Sequence, residues 1–197
     1  LSKFFDLNKK KQAVETPEFK EKFESKYLLQ HFQKLENLDK DLQRLPTVEE
    51  FFFLQTEKSF NAFTFIPFVC QYERIKHLYA STYSIGSKVV NALIELHDTG
   101  FIDEITLLIS DSMIKRNPVT IDNLCSMAAS RGNVNVLFSW VHAKVCILET
   151  KTNHYIIEGS GNWSENAQYE QYLFGNSKGV FDFRKELFTN TKIIKNG

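Results

Sequence analysis

Cysteine is scarce in this 197-residue chain, which has only Cys70, Cys125 and Cys146. The number is odd, no Cys-x-x-Cys spacing occurs, and each cysteine has apolar neighbours. That argues against a disulfide framework and a zinc site, and reads all three as core. An excess of one charge is also missing, since Lys plus Arg and Asp plus Glu both number 24. A general nucleic-acid coat protein would be basic, because neutralising phosphates drives its affinity. Neutrality weakens that reading but leaves room for a local positive cleft. No stretch approaches the ~20 apolar residues of a membrane span. Phe60 to Cys70 is broken by Asn61, Thr64 and Pro67. The first residues, Leu1-Ser2-Lys3-Phe4-Phe5, lack a signal-peptide apolar core, so a cytoplasmic location is expected. There is no internal repeat and no low-complexity tract.

What is present is a core. Hydrophobic residues make up 43% of the chain and phenylalanine occurs 18 times, which places it among folded proteins. The length suits one domain plus a modest extension. Residues 1–58 are expected to form a helical extension. Thr16-Pro17-Glu18 reads as a helix start, and Leu28, Leu29, Phe32, Leu35 and Leu38 recur at near-helical spacing up to Leu45. Thr47-Val48-Glu49-Glu50 reads as a capping box ahead of a short helix carrying Phe51 to Leu54. Residues 59–197 alternate. Strands are expected over 75–83, 105–109 and 134–138, with helices over 87–97 and from Asn117-Pro118 to about Ser130. That order predicts an α/β fold with a mixed, mostly parallel sheet flanked by helices. A hairpin (143–148 and 154–158), a small-residue loop from Gly159, a strand from Glu170 and a helix containing 182–188 complete the pattern.

Chemistry is concentrated in residues 142–170. His142-Ala143-Lys144 opens a candidate strand, and residues two apart on a strand share a face. An imidazole and an ammonium pointing the same way suit a phosphoryl group, whose oxygens the cation can neutralise. The hairpin returns Gly159-Ser160-Gly161-Asn162 toward that strand's start. The glycines permit close approach to an anion, and Ser160 and Asn162 add a hydroxyl and an amide. Glu170 can accept a hydrogen bond from one nitrogen of His142 and leave the other free to attack.

The segment resembles the motif of the phospholipase D superfamily, His-x-Lys-x4-Asp followed by Gly-Ser-x-Asn. The order of elements ahead of it agrees with that family's half-domain. The resemblance implies a nucleophilic role for His142 through a covalent phosphohistidine, phosphate binding by Lys144 and Asn162, a loop hydroxyl from Ser160 beside Gly161, and an orienting acid in Glu170. It implies no cofactor and no metal. Glu149 stands where the family usually has Asp. One motif is present, although the reaction needs one histidine to attack and another to protonate the leaving oxygen. None of His31, His77, His97 or His154 starts a second copy. The resemblance therefore implies a homodimer that pairs two His142 residues, and single-motif members tend to be nucleases, so DNA or RNA is the expected partner.

Blander readings accompany several residues. Thr82 and Ser84, at the end of the first core strand, can face substrate or simply form a turn. Trp163 can stack on a base or plug the core, and Lys115-Arg116 can touch a nucleic-acid backbone or only be solvated. The phenylalanine runs read as core or dimer interface. His97 reads as a histidine near a helix end, without metal-ligand spacing. A catalytically silent nucleic-acid-binding module is the alternative to a nuclease. A component of a larger mobile-element or defence assembly, docked through residues 1–58, is another.

Overall fold

A computed structural model describes residues 30–58, 60–164 and 169–196 of the chain, with side chains between Glu36 and Ile194. The strands are Gln30–Leu35 (β1), Glu50–Thr56 (β2), Ile75–Thr82 (β3), Ile102–Ser110 (β4), Val134–Ser139 (β5), Val145–Glu149 (β6), His154–Gly159 (β7), Gln171–Asn176 (β8) and Lys195–Asn196 (β9). The helices are Leu38–Leu42 (α1), Phe65–Cys70 (α2), Ser87–Asp98 (α3), Ser112–Arg116 (α4), Pro118–Ala129 (α5) and Lys178–Asn190 (α6).

The nine strands of the described residues join one mixed sheet in the order β1-β2-β8-β7-β6-β3-β4-β5-β9. Strands β3, β4 and β5 run parallel, with α3 and then α4 and α5 in the connections. Strand β6 pairs antiparallel to β3, and β7 and β8 follow antiparallel. This register collects the C-terminal ends of β2, β3, β4, β5 and β7 at one edge of the sheet, with the starts of β6 and β8.

Local chemistry explains the elements. Strand β4 is buried continuously from Ile105 to Ser110, as expected of a parallel strand covered on both faces. Pro118 occupies the first turn of α5, and the Asn117 side chain accepts from the Thr120 amide. The Ser177 hydroxyl caps α6. The larger core packs α2, α3 and α5 on one sheet face, through Phe65, Ile66, Leu93, Leu124 and Phe138. On the other face, Phe181 and Phe188 of α6 pack against Tyr79, Leu108, Ile147 and Ile156. Burying each of those phenylalanines contributes about 2 kcal/mol.

The N-terminal part differs from expectation. The helix expected over Tyr27–Leu45 is, in its described part, strand β1 followed by the short α1, which ends at Gln43 with φ 59°. The helix expected after Thr47 is strand β2. The Thr47 amide does donate to the Glu50 carboxylate (2.8 Å), as a capping box requires. Glu49, however, has φ 62°, which turns the chain out of a helix. Aromatic residues then favour a strand held between β1 and β8. The extension expected over residues 1–58 thus supplies two sheet strands. The helix start expected at Thr16-Pro17-Glu18 lies outside the described residues.

The phenylalanines of 51–68 are mostly core, and Trp163 is buried against Phe63. Cys70 and Cys146 are buried, Cys125 is half-buried, and all three are free thiols. Burial pushes the Cys70 thiol up to about 12. His97 sits in the last turn of α3, between Asp98 and Asn133.

Candidate active site

The sheet edge defined above carries the His-x-Lys segment. His142 and Lys144 lie in extended chain just ahead of β6, whose first paired residue is Val145. The strand thus begins two residues later than Ala143. The segment is still fixed from below. The buried Ser81 hydroxyl donates to the Ala143 carbonyl (3.0 Å), and the Gly159 amide reaches the Lys144 carbonyl (3.4 Å). With the Ala143 carbonyl held from β3 and the Lys144 carbonyl from β7, the His142 and Lys144 side chains come together at the edge. Lys144 Nζ lies 3.2 Å from His142 Nδ1 and 3.2 Å from the His142 carbonyl oxygen. His142 is exposed and Lys144 half-buried.

Burial lowers the Lys144 ammonium from the ordinary lysine value, against opposing pulls from Glu170 and Tyr83. Glu170 is therefore close enough to act on Lys144 through its charge. Its carboxylate accepts a short hydrogen bond from the Ser160 hydroxyl. The bond expected from His142 to Glu170 is not among the contacts of the described residues: Ser160 takes that carboxylate, and Lys144 takes Nδ1. Ser160 is itself pinned, since its amide donates to the Gln171 carbonyl and its hydroxyl accepts from the Gln171 amide, both at 3.1 Å. Glu170 is anchored through its backbone: its carbonyl accepts from the Thr56 amide of β2 and its amide donates to Thr56 Oγ1.

The small-residue loop needs its first glycine. A Cβ on Gly159 would run into the Gln171 carbonyl oxygen and the Tyr172 ring, so β7 can approach β8 there only without a side chain. Gly161 is buried and Asn162 half-buried on the same loop. The loop is stitched to the end of β3. The Trp163 amide donates to the Ser84 carbonyl (3.1 Å) and to Thr82 Oγ1 (3.3 Å), and the Gly86 amide donates to the Trp163 carbonyl (2.9 Å). The Ser84 and Ser164 hydroxyls are 2.8 Å apart. Thr82 is buried, and its hydroxyl also donates to the Ser84 carbonyl. Both hydroxyls nominated for substrate contact thus work, in this structure, in holding the loop.

The edge brings His142, Lys144, Ser160 and Glu170 together. It adds residues that sequence reasoning missed. The Tyr83 ring tilts against the His142 imidazole with centroids 4.7 Å apart, and the Arg116 guanidinium lies 4.9 Å over the other ring partner, Tyr83. Tyr83 stands between two residues singled out at the end of β3, which was its only signal. Arg116 figures in the sequence, with Lys115, only as a nucleic-acid backbone contact, and Ser81 carries no signal. Glu149 closes the opposite end of β6, in register with His77 and His154, and does not reach the His142 edge. Among the described residues there is no cluster of three or more His, Cys, Asp or Glu able to hold a metal, and no helix long and apolar enough to cross a membrane.

Neither a protein-family model nor a curated protein matches the chain. Solved structures do. Polyphosphate kinase from Porphyromonas gingivalis is similar with a TM-score of 0.53 at 10% identity, over 73% of this chain and 26% of that one. The fold is phospholipase D-like. Phosphatidylserine synthase from Haemophilus influenzae Rd KW20 (TM-score 0.49, 14% identity) matches over 74% of this chain and 40% of its own. TrmBL2, an archaeal chromatin protein, has a TM-score of 0.46 at 12% identity over 72% and 52%. The chain thus spans between about a quarter and half of the solved chains it matches.

Proposed function

We propose that this phospholipase D-like protein is a metal-independent phosphodiesterase, a nuclease acting on DNA or RNA, with His142 as its nucleophile. The observation that carries the reading is the outward-facing pair of His142 and Lys144, 3.2 Å apart, beside the Gly159–Asn162 loop at one sheet edge. An exposed imidazole next to a partly desolvated ammonium is what in-line attack on a phosphodiester requires.

In the proposed course, the Nε2 lone pair of His142 forms a bond to phosphorus. The bond from phosphorus to the leaving oxygen breaks, and that oxygen takes a proton from His142 of a second copy. Water then attacks the phosphohistidine, gives its proton to the second imidazole, and releases the first. Lys144, Ser160 and Asn162 hold the non-bridging oxygens. An ammonium cannot accept the Nδ1 proton that attack through Nε2 calls for. A phosphate that draws Lys144 onto its own oxygens therefore also frees Nδ1. Two copies related by a two-fold axis supply both histidines, and Thr82 and Ser84 position the loop.

The experiment is incubation of the purified protein with labelled single- and double-stranded DNA and RNA in EDTA, beside His142→Ala. Cleavage by the intact protein alone is expected. Activity that EDTA abolishes, or that His142→Ala retains, would contradict the mechanism.

A second reading has one observation in its favour: Glu170 is bonded to Ser160 and not to His142. A histidine without its orienting acid suits a nucleic-acid-binding module that keeps the cleft and not the reaction. That reading predicts salt-dependent binding that survives His142→Ala, with no cleavage by the intact protein.

A further inference from the structure

Two residues before His142, the chain exposes Trp140, whose relative exposure is 90%. Tryptophan carries a large apolar surface that proteins bury on average, so an almost fully exposed ring beside a reactive edge calls for an explanation. Its backbone is not loose. The Asp111 amide at the end of β4 donates to the Ser139 carbonyl (2.9 Å), and the Ser139 hydroxyl donates to the Lys192 carbonyl (2.8 Å). The next residue, Val141, is buried under α6. The ring is thus presented outward from a chain fixed on both sides.

Its surroundings are cationic and aromatic. Trp140 is followed by His142, then Tyr83 against His142, then Arg116 over Tyr83. The exposed Arg116 lies over Tyr83, the exposed Lys192 is tied through its carbonyl to Ser139, and Lys144 stands beside His142. Two acids lie nearby: Asp111, whose amide binds the carbonyl of the residue before Trp140, and Glu170, which takes the Ser160 hydroxyl. Across the site, Tyr169 precedes Glu170 with 64% exposure. Flat rings interleaved with cations form a surface for bases and phosphates together. Only a base with an open face can stack on a protein ring, and in a duplex those faces are covered by neighbouring pairs.

We infer that Trp140 is a base-stacking platform, and that the site takes single-stranded nucleic acid with a base next to the scissile phosphate resting on Trp140. The inference rests on the nuclease reading for its substrate class. In a dimer that pairs two His142 residues, the two Trp140 rings would flank the phosphate on either side.

The test measures binding of labelled single-stranded oligonucleotides and their duplexes to the 197-residue chain carrying His142→Asn, which cannot turn them over. The same background then carries Trp140→Ala or Trp140→Phe, with the oligomeric state measured by light scattering. Stacking predicts that Trp140→Ala weakens single-strand binding roughly tenfold or more and leaves duplex binding unchanged, while Trp140→Phe restores most of it. Equal binding by Trp140→Ala would overturn the inference. So would a change of oligomeric state in Trp140→Ala, which would make the ring a contact between copies. Cleavage by the intact protein is read separately. Cleavage without Trp140 dependence removes this inference alone, and Trp140-dependent binding without cleavage removes the nuclease reading alone. Absence of both removes the two together.

Discussion

The two ends of the sheet share paired hydroxyls and amides but differ in what surrounds their central charged groups. At the end away from His142, acids and amides satisfy one another. Glu73 accepts from the Tyr155 hydroxyl and the Asn153 amide, both at 2.7 Å, and Asn176 reaches the Pro46 carbonyl and Asn153. Glu49 takes the Ser177 hydroxyl, and the buried Glu50 takes both arms of Arg44. At the His142 end, Lys144 makes no ion pair among the described residues, and its neighbours are an imidazole and a carbonyl. Satisfied networks fix strands in place, whereas a partly desolvated cation turned outward is available to an anion. One end reads as scaffold and the other as site.

That division can be broken experimentally. Substitution of His142 by Ala should have the largest effect, at least about a thousandfold loss of turnover in cleavage assays, with thermal unfolding unchanged. Lys144→Ala should come next, with a loss of about a hundredfold or more in kcat, since it removes charge needed as the transition state forms. Lys144 also sets a pH limb. Only the ammonium neutralises phosphate, and burial lowers its proton affinity, so activity should fall as pH rises toward a value below the ordinary 10.5. A limb at or above that value would count against a desolvated lysine.

Scaffold changes should act on stability and leave the chemistry intact. The Arg44 guanidinium, with help from Thr47, holds the Glu50 carboxyl down at about 2 from its ordinary 4.5. With the folded value below the unfolded one, this stabilisation is complete above about pH 5 and is lost as pH falls toward 2. Allowing for the half-exposed Arg44, it should amount to about 2 kcal/mol, seen as reduced acid sensitivity in denaturant unfolding of Glu50→Gln. Gly159→Ala should cost about 1–3 kcal/mol, because its Cβ meets backbone and ring. It should be measurable by urea unfolding, and it is the one scaffold change expected to lower activity too.

The same contrast explains what could be read from sequence. His142-x-Lys144 and Gly159-Ser160-x-Asn162 are local patterns, and local patterns survive in a linear string. The parallel core strands β3 to β5 announce themselves as apolar runs separated by helices. The strands β1 and β2 do not. Phe51 pairs with Gly175 across the chain, and the spacing of Phe32, Leu35 and Leu38 fits a helix equally well until partners are known. The stack of Arg116 on Tyr83 and Tyr83 on His142 joins three separate connections. The Ser81 hook on Ala143 depends on the antiparallel register of β3 and β6.

The central claim is a covalent bond from His142 to phosphorus, and trapping that bond tests it most directly. The protein would be mixed with an oligonucleotide carrying labelled internal phosphates and quenched in alkaline detergent, which spares a phosphoramidate. Mass spectrometry would then locate the adduct. Label on the peptide containing His142, absent from His142→Asn, is the predicted result. Cleavage that proceeds with no adduct, and persists in His142→Asn, would contradict it.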